Sequence, residues 1–319
     1  MTETERYRDR DVVYAGRPGE KMVIRSANPT NYFQAITAPD ACEPIDVDAK
    51  LFLPPARGAS PAVILAPGSL GVGENIETHA ATLLNEGFVV CVIDPFGART
   101  VLSTVANQTQ FSFAASAFDV VATLGALQQR PEIDPARIAA QGHSRGGAAV
   151  LIAACRQFAD AVGSTDASFA AVYAVYPWCG HQFREPFVGS TRVRAIVGDL
   201  DEWCSVQEIQ GQINAMRMGG ADAEVRVVPG AHHSFDRAEA PNVISEARVA
   251  RSTPTVMLDD DGAMFDPCTG LADPSLVDYD LFVLALKQGF GTQGATIGSL
   301  EGQPELFTAD MLEFHRKLL

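Results

Sequence analysis

Arg137-Ile-Ala-Ala-Gln-Gly-His-Ser-Arg-Gly-Gly147, followed by the apolar stretch Ala148-Ala-Val-Leu-Ile-Ala-Ala-Cys155, decides the fold. A short β-branched run ends in Gly142-x-Ser144-x-Gly146 and continues at once into a segment of helical composition. A strand that turns this sharply into a helix forces its central residue into a strained conformation and presses neighbouring backbone together, so glycine is required on either side of the serine. The Ser144 hydroxyl then projects above the sheet, and the Arg145 N–H, at the start of the helix, points toward the same spot with the positive end of the helix dipole behind it. The pattern recurs by chance in a glycine-rich chain. Its place between a strand and a helix is what gives it weight.

Outward from this turn, apolar runs recur at Pro61–Ala66, Phe88–Ile93, Ala171–Val175, Val193–Val197 and Glu224–Val228, each ending near Gly, Pro or Asp. Continuous rather than alternating hydrophobicity marks strands buried on both faces, as in a mostly parallel sheet. Between the second run and the turn, Phe113, Ala117, Val120, Val121, Leu124 and Leu127 keep helical spacing up to Arg130-Pro131, which fits a crossover helix. The expectation is an α/β chain with a mostly parallel central sheet of about eight strands and helices on both faces. Residues 1–45 read as an N-terminal arm with a possible edge strand around Met22–Ser26, which Lys50–Pro54 would join antiparallel. The catalytic domain then spans 46–319, with an Asp-, Pro- and Ala-rich insertion at about 237–275 near the active-site face. Gly289–Gly294 reads as a flexible loop and Thr308–Leu319 as a final helix capped by Thr308.

A nucleophilic serine needs a base and an orienting acid, and in open sheets of this kind they follow it at later strand ends. Gly198-Asp-Leu-Asp-Glu-Trp203 follows one such run, and Pro229-Gly-Ala-His-His-Ser-Phe-Asp236 follows the next. Asp199 or Asp201 and His232 or His233 are therefore the candidates. The turn after the first run, Ala66-Pro-Gly-Ser-Leu-Gly71, offers the Ser69 or Leu70 N–H as the partner of Arg145 N–H in an oxyanion hole. Arg99, Arg145, Trp178 and Trp203 fall near strand ends, where a guanidinium can take a carboxylate bidentately or form an ordinary ion pair with Asp94 or Glu202. His79, His143 and His181 read as structural or pocket-lining, with His143 also a substrate-contact candidate.

Composition narrows the remaining classes. With 47% hydrophobic and 20% charged residues the chain can bury a large core, and a formal net charge of −15 argues against nucleic acid as a partner. Neither GxxxxGK[ST] nor HExxH is spelled out, and the glycine-rich turn Gly68–Gly73 does not spell GxGxxG, so neither a nucleotide cofactor nor a metal is expected. The six cysteines form no CxxC pair, although Cys179 and Cys204 follow adjacent strands and a disulfide between them is conceivable. The N-terminal MTETERYRDR lacks an apolar core, and no 18-residue apolar run occurs, so a cytoplasmic protein with no membrane partner is expected.

Together these segments resemble the dienelactone hydrolase family of the α/β-hydrolase fold. The likeness rests on Ile133-Asp-Pro-Ala-Arg-Ile138 ahead of the Gly-His-Ser-Arg-Gly-Gly turn, on Tyr176-Pro-Trp-Cys179 and on Asp94-Pro-Phe-Gly-Ala-Arg99. It implies a serine hydrolase that cleaves a small-molecule carboxylic ester or lactone without a cofactor, with Ser144 as nucleophile, Asp201 as acid and His233 as base. Two departures stand out. Some members use cysteine where this chain has Ser144, and the usual His-Gly after the third strand is Pro67-Gly68 here. The alternatives are the same triad applied to amide, perhydrolase or C–C bond chemistry, or a non-catalytic binding protein on this fold.

Overall fold

The computed structural model describes residues 6–55, 58–163 and 168–319. Its centre is an eight-stranded sheet, labelled here β1 (Glu20–Asn28), β2 (Glu43–Phe52), β3 (Ser60–Ala66), β4 (Val89–Asp94), β5 (Ile133–His143), β6 (Ala171–Val175), β7 (Arg192–Gly198) and β8 (Ala223–Val228). The spatial order is β8-β7-β6-β5-β3-β4-β2-β1, with β3 to β8 parallel and β1 and β2 antiparallel at one edge. Every residue of β3 and β6 is buried, which is why these strands read as unbroken apolar runs.

Helices of ten residues or more are α1 (Glu74–Asn85), α2 (Phe113–Gln128), α3 (Arg145–Ala154), α4 (Val206–Met218), α5 (Asp278–Lys287) and α6 (Gln303–His315). The side chain of Ser112 caps α2 by accepting from the Ala115 N–H at 2.9 Å. Helix α3 is buried along its whole length, so its Ala, Val, Leu and Ile fill the space between the sheet and α2. Among the described residues no helix is long and apolar enough to cross a membrane.

The strand order contains a reversal that places the site. From β3 the chain moves outward to β4, then returns across β3 to β5 on the other side. The crevice between the carboxyl ends of β3 and β5 is the topological switch point, where open α/β sheets receive ligands. Gly68–Gly71 follows β3 and Ser144 follows β5 at this crevice.

Several peripheral expectations are corrected. The start of the described chain is docked rather than loose: Tyr7 and Tyr14 are buried, Tyr14 stacks on Phe52 at 4.5 Å, and Arg6 donates twice to the buried Asp48. The segment after Phe235 is a cap with its own pairing, in which Asn242–Val249 runs antiparallel to Thr292–Ile297. Gly289–Gly294 therefore leads into a strand. The last long helix begins at Gln303 behind Gly302, five residues before Thr308, because Pro304 sits in its first turn, where no N–H is needed. Thr308 is a mid-helix residue that donates to Pro304 O.

Candidate active site

Ser144 has φ 53° and ψ −111°, the strained turn that the sequence calls for. The close approach is severe: a Cβ on Gly142 would lie 2.0 Å from Gly146 O, and one on Gly146 would lie 2.3 Å from Ala66 O. No side chain fits there. Ser144 N–H donates to Val175 O at the end of β6, which anchors the turn against the neighbouring strand. Arg145 N–H heads α3 without an acceptor in its own helix. The Gly68 backbone packs so near that a Cβ there would sit 3.3 Å from Ser144 Cβ. Ser69 lines both cavities that open beside Ser144, whereas Leu70 is 42% exposed and lines only the smaller.

Beyond β7 and β8, two loops meet. A Cβ on Gly198 would strike Ala231 O at 2.0 Å, and Leu200 N–H donates to the same carbonyl, so the loops that carry the candidate acid and base are pressed together. Asp201 is fully buried. Its Oδ2 lies 2.7 Å from His233 Nδ1, while its Oδ1 accepts from Trp203 N–H at 2.7 Å and Cys204 N–H at 2.8 Å. The His233 ring is held between Trp203, stacked at 5.3 Å, and Tyr176 at 4.4 Å. The reserve candidates stand apart: Asp199 is exposed and accepts from Gly230 N–H, and His232 Nδ1 has no hydrogen-bond partner among the described residues.

Two cavities share Ser69, Ser144 and Trp203. The smaller, about 30 Å³, holds His233 and Tyr176 beside Ser144. The larger, about 290 Å³, is roofed by the 242–297 cap and walled by apolar groups from Phe113, Trp178, Val256 and α5. Several ionisable side chains on its wall are perturbed by burial. Asp278 is pushed up to about 6, Glu208 up to about 7, and His181 down to about 3. Trp178 and Trp203 line this cavity as the sequence suggests.

The remaining substrate-contact candidates have other partners. Arg99 lies outside both cavities and forms a two-pronged ion pair with the buried Asp119, at 2.7 and 3.0 Å, rather than with Asp94 or Glu202. The Arg145 guanidinium lies between the rings of Phe111 and Phe113 and donates to Ser116 Oγ, Gln108 O and Phe111 O. Burial lowers it to about 10. His143 backs the smaller cavity, with its Nδ1 3.0 Å from Tyr176 OH and its ring stacked on His79. Burial takes it down to about 3.

Cys179 and Cys204 are separate buried thiols. Cys204 lies beside Ser144, a placement that its position after β7 does not reveal. Burial pushes its thiol well above the ordinary value, while a hydrogen bond to the Ser144 hydroxyl pulls the other way. Its sulfur, with donor atoms of Asp201 and His233, forms one of two groups among the described residues compact enough for a metal. The other is His79, His143 and Asp236. A metal in the first would require a thiolate, which burial opposes, and would break the Asp201–His233 hydrogen bond.

The sheet order, the serine turn and the loops after β7 and β8 define an α/β hydrolase. Within that class, the chain belongs to the dienelactone hydrolase family, whose family model matches residues 47–257, and it is a carboxylic ester hydrolase. No curated protein matches it. Among solved structures it is similar to m3DLH (18% identity, 85% of this chain and 97% of that one, TM-score 0.54). It is also similar to Thermogutta terrifontis esterase 2 phosphorylated by paraoxon (15% identity, 73% and 88% covered, TM-score 0.50). A putative dienelactone hydrolase from Klebsiella pneumoniae subsp. pneumoniae MGH 78578 gives 17% identity over 68% of this chain and 90% of that one, with a TM-score of 0.49.

Proposed function

We propose that Ser144, His233 and Asp201 form a catalytic triad that hydrolyses a small carboxylic ester or lactone through an acyl-enzyme. The observation that carries this reading is the 2.7 Å contact between Asp201 Oδ2 and His233 Nδ1, with His233 and the strained Ser144 lining one small cleft. His233 Nε2 takes the Ser144 proton as Oγ attacks the carbonyl carbon. The tetrahedral intermediate then collapses, and the same imidazolium protonates the departing alkoxide. Asp201 keeps Nδ1 protonated and stabilises the imidazolium. The N–H groups of Arg145 and of Ser69 or Leu70 receive the oxyanion, each such donor being worth roughly 2.7–4 kcal/mol of barrier.

Deacylation repeats the sequence with water as the nucleophile, yielding the acid and free Ser144. The cleft of about 30 Å³ beside His233 has room for that water. The similar T. terrifontis esterase 2 is phosphorylated by paraoxon, and the same reagent tests this chain. Incubation with paraoxon should add one diethylphosphoryl group at Ser144, and Ser144→Ala should lose both the adduct and p-nitrophenyl butyrate turnover while keeping its circular dichroism. An adduct on another residue, or no adduct and no turnover in the unaltered protein, defeats the assignment.

A further inference from the structure

One part of the larger cavity is polar, and the triad makes no use of it. Asp278 opens α5, and its Oδ2 accepts from Phe113 N–H at 2.7 Å. Its Oδ1 has no hydrogen-bond partner among the described residues. Facing it at 3.9 Å is His181 Nδ1, which is likewise unpartnered. Both side chains are more than nine-tenths buried, both line the cavity that Ser144 opens into, and the surrounding wall is the apolar surface of Phe113, Trp178 and α5. A buried polar atom left unsatisfied is costly, and two facing each other in a ligand cavity mark a place built for a polar group. At 3.9 Å the pair is too far apart for a mutual hydrogen bond, and both atoms are closed to solvent as they stand, so a small turn of the two side chains toward the cavity is what lets one oxygen about 2.8 Å from each join them.

We infer that Asp278 and His181 form a subsite for a substrate hydroxyl group, which donates to Asp278 Oδ1 and accepts from His181 Nδ1–H. The ester that this protein prefers therefore carries a hydroxyl at the end of an otherwise apolar segment. Only a group that both donates and accepts satisfies the two partners together. At neutral pH Asp278, at about 6, is mostly a carboxylate, and His181, at about 3, is a neutral imidazole. A substrate carboxylate would be repelled by Asp278. A substrate ammonium would meet the charge of Arg145, which acts on both members of the pair and lines the same cavity. A hydroxyl avoids both repulsions.

This inference rests on Ser144 being the nucleophile, and the test separates the two claims. The hydroxyl can sit on the acyl or on the alcohol portion, so two ester pairs are compared on the full chain. These are p-nitrophenyl 6-hydroxyhexanoate against p-nitrophenyl hexanoate, whose chain is too long for ready ring closure, and the butyrate monoester of 1,4-butanediol against butyl butyrate followed by pH-stat. The 6-aminohexanoate ester serves as the charged control. In one pair the hydroxylated member should have a kcat/KM higher by on the order of tenfold to a hundredfold, the worth of a hydrogen bond to a charged group. Asp278→Asn and His181→Phe should each bring that ratio toward one. Because the ratio is taken within each variant, a general loss of activity cancels. Ratios near one in both pairs, with paraoxon still labelling Ser144, overturn the subsite and leave the hydrolase standing. A preference that survives both substitutions, or a larger preference for the amino ester, overturns it too. No labelling and no turnover on any ester removes the triad reading, and the subsite with it.

Discussion

The sharpest test of the proposed triad is Asp201→Asn, because the two carboxylate oxygens have separate tasks. Oδ1 accepts from two backbone N–H groups, of Trp203 and Cys204, while Oδ2 meets His233 Nδ1. An asparagine has one acceptor oxygen. Turning its amide nitrogen toward the two N–H groups would create two donor–donor clashes inside a fully buried site, so the oxygen stays with them and the NH₂ faces His233. The imidazole can then accept only at Nδ1. Its proton moves to Nε2, the nitrogen that must take the proton from Ser144. A wrong tautomer of this kind costs about 10⁴ in kcat, or about 5.4 kcal/mol of barrier, in a serine protease triad, and a similar loss is predicted here. The isosteric change keeps both backbone hydrogen bonds, so thermal unfolding should shift by only a few degrees. Asp199→Asn is the control: the side chain is exposed, its Oδ1 accepts from Gly230 N–H, and an amide oxygen can do the same. Its kcat/KM on p-nitrophenyl butyrate should stay within about twofold. If Asp201→Asn kept more than about a tenth of the activity, or Asp199→Asn lost more than Asp201→Asn, the assignment of the acid would be refuted.

Three further outcomes are expected. His233→Gln should abolish ester turnover while His232→Gln leaves most of it, since only His233 reaches Asp201; comparable losses in steady-state kinetics would leave His233 without its role. Arg99→Ala should cost about 3–5 kcal/mol in chemical denaturation, because it strands the buried Asp119 carboxylate, yet barely change the relative kcat/KM among esters of different chain length. Glu208 is partly buried and raised from 4.5 to about 7 by that burial, so the unfolded chain releases this proton at lower pH than the folded protein does. The wild type should therefore lose stability as pH rises from 4.5 toward 7. Glu208→Gln should remove up to about 3 kcal/mol of that loss at pH 8 and almost none near pH 4.5, a pH dependence that denaturation at the two values would reveal or exclude.

The nucleophile turn could be read from sequence because steric exclusion leaves glycine as the only choice at 142 and 146, and the parallel strands because double-sided burial leaves continuous apolar runs. Asp201 and His233 followed from strand order together with family resemblance. The cap could not be read in the same way. Asn242–Val249 has a mostly exposed, irregular burial pattern, and its partner begins more than forty residues later, so neither strand shows an alternation that identifies it. Arg99 shows the same limit for side chains. The partners expected for it were Asp94 or Glu202 at neighbouring strand ends, whereas its actual partner, Asp119, sits on α2, a choice that only helix packing against β1 decides. The meeting of Asp278 with His181, itself read only as structural or pocket-lining, is hidden for this reason as well. One opens a helix of the cap and the other lies just after β6, and what makes them notable is that the fold brings them together and leaves both unpaired.

The polar network behind the proposed triad accounts for how the strained elements are held. Ser144, Tyr176 and Ser234 all have positive φ, 53°, 36° and 58°, and such residues cost on the order of 1–3 kcal/mol each unless their surroundings fix them. Asp236 supplies that fixation. Its carboxylate accepts from His79 Nε2 at 2.8 Å, Asn75 Nδ2 at 3.1 Å and Tyr176 OH at 2.7 Å, and Tyr176 OH in turn lies 3.0 Å from His143 Nδ1. Burial opposes its charge, but the hydrogen bonds from His79 and its neighbours hold it well below the usual carboxylate range. One side chain thus ties α1, the end of β5 and the residue after β6 to the loop that carries His233 three positions earlier. On the opposite side, Gly298 N–H donates to His233 O, so the cap closes on the same loop. His233 is thus located by the sheet from below and by the cap from above. Any ligand that displaces the cap would therefore act on His233 as directly as on the cavity.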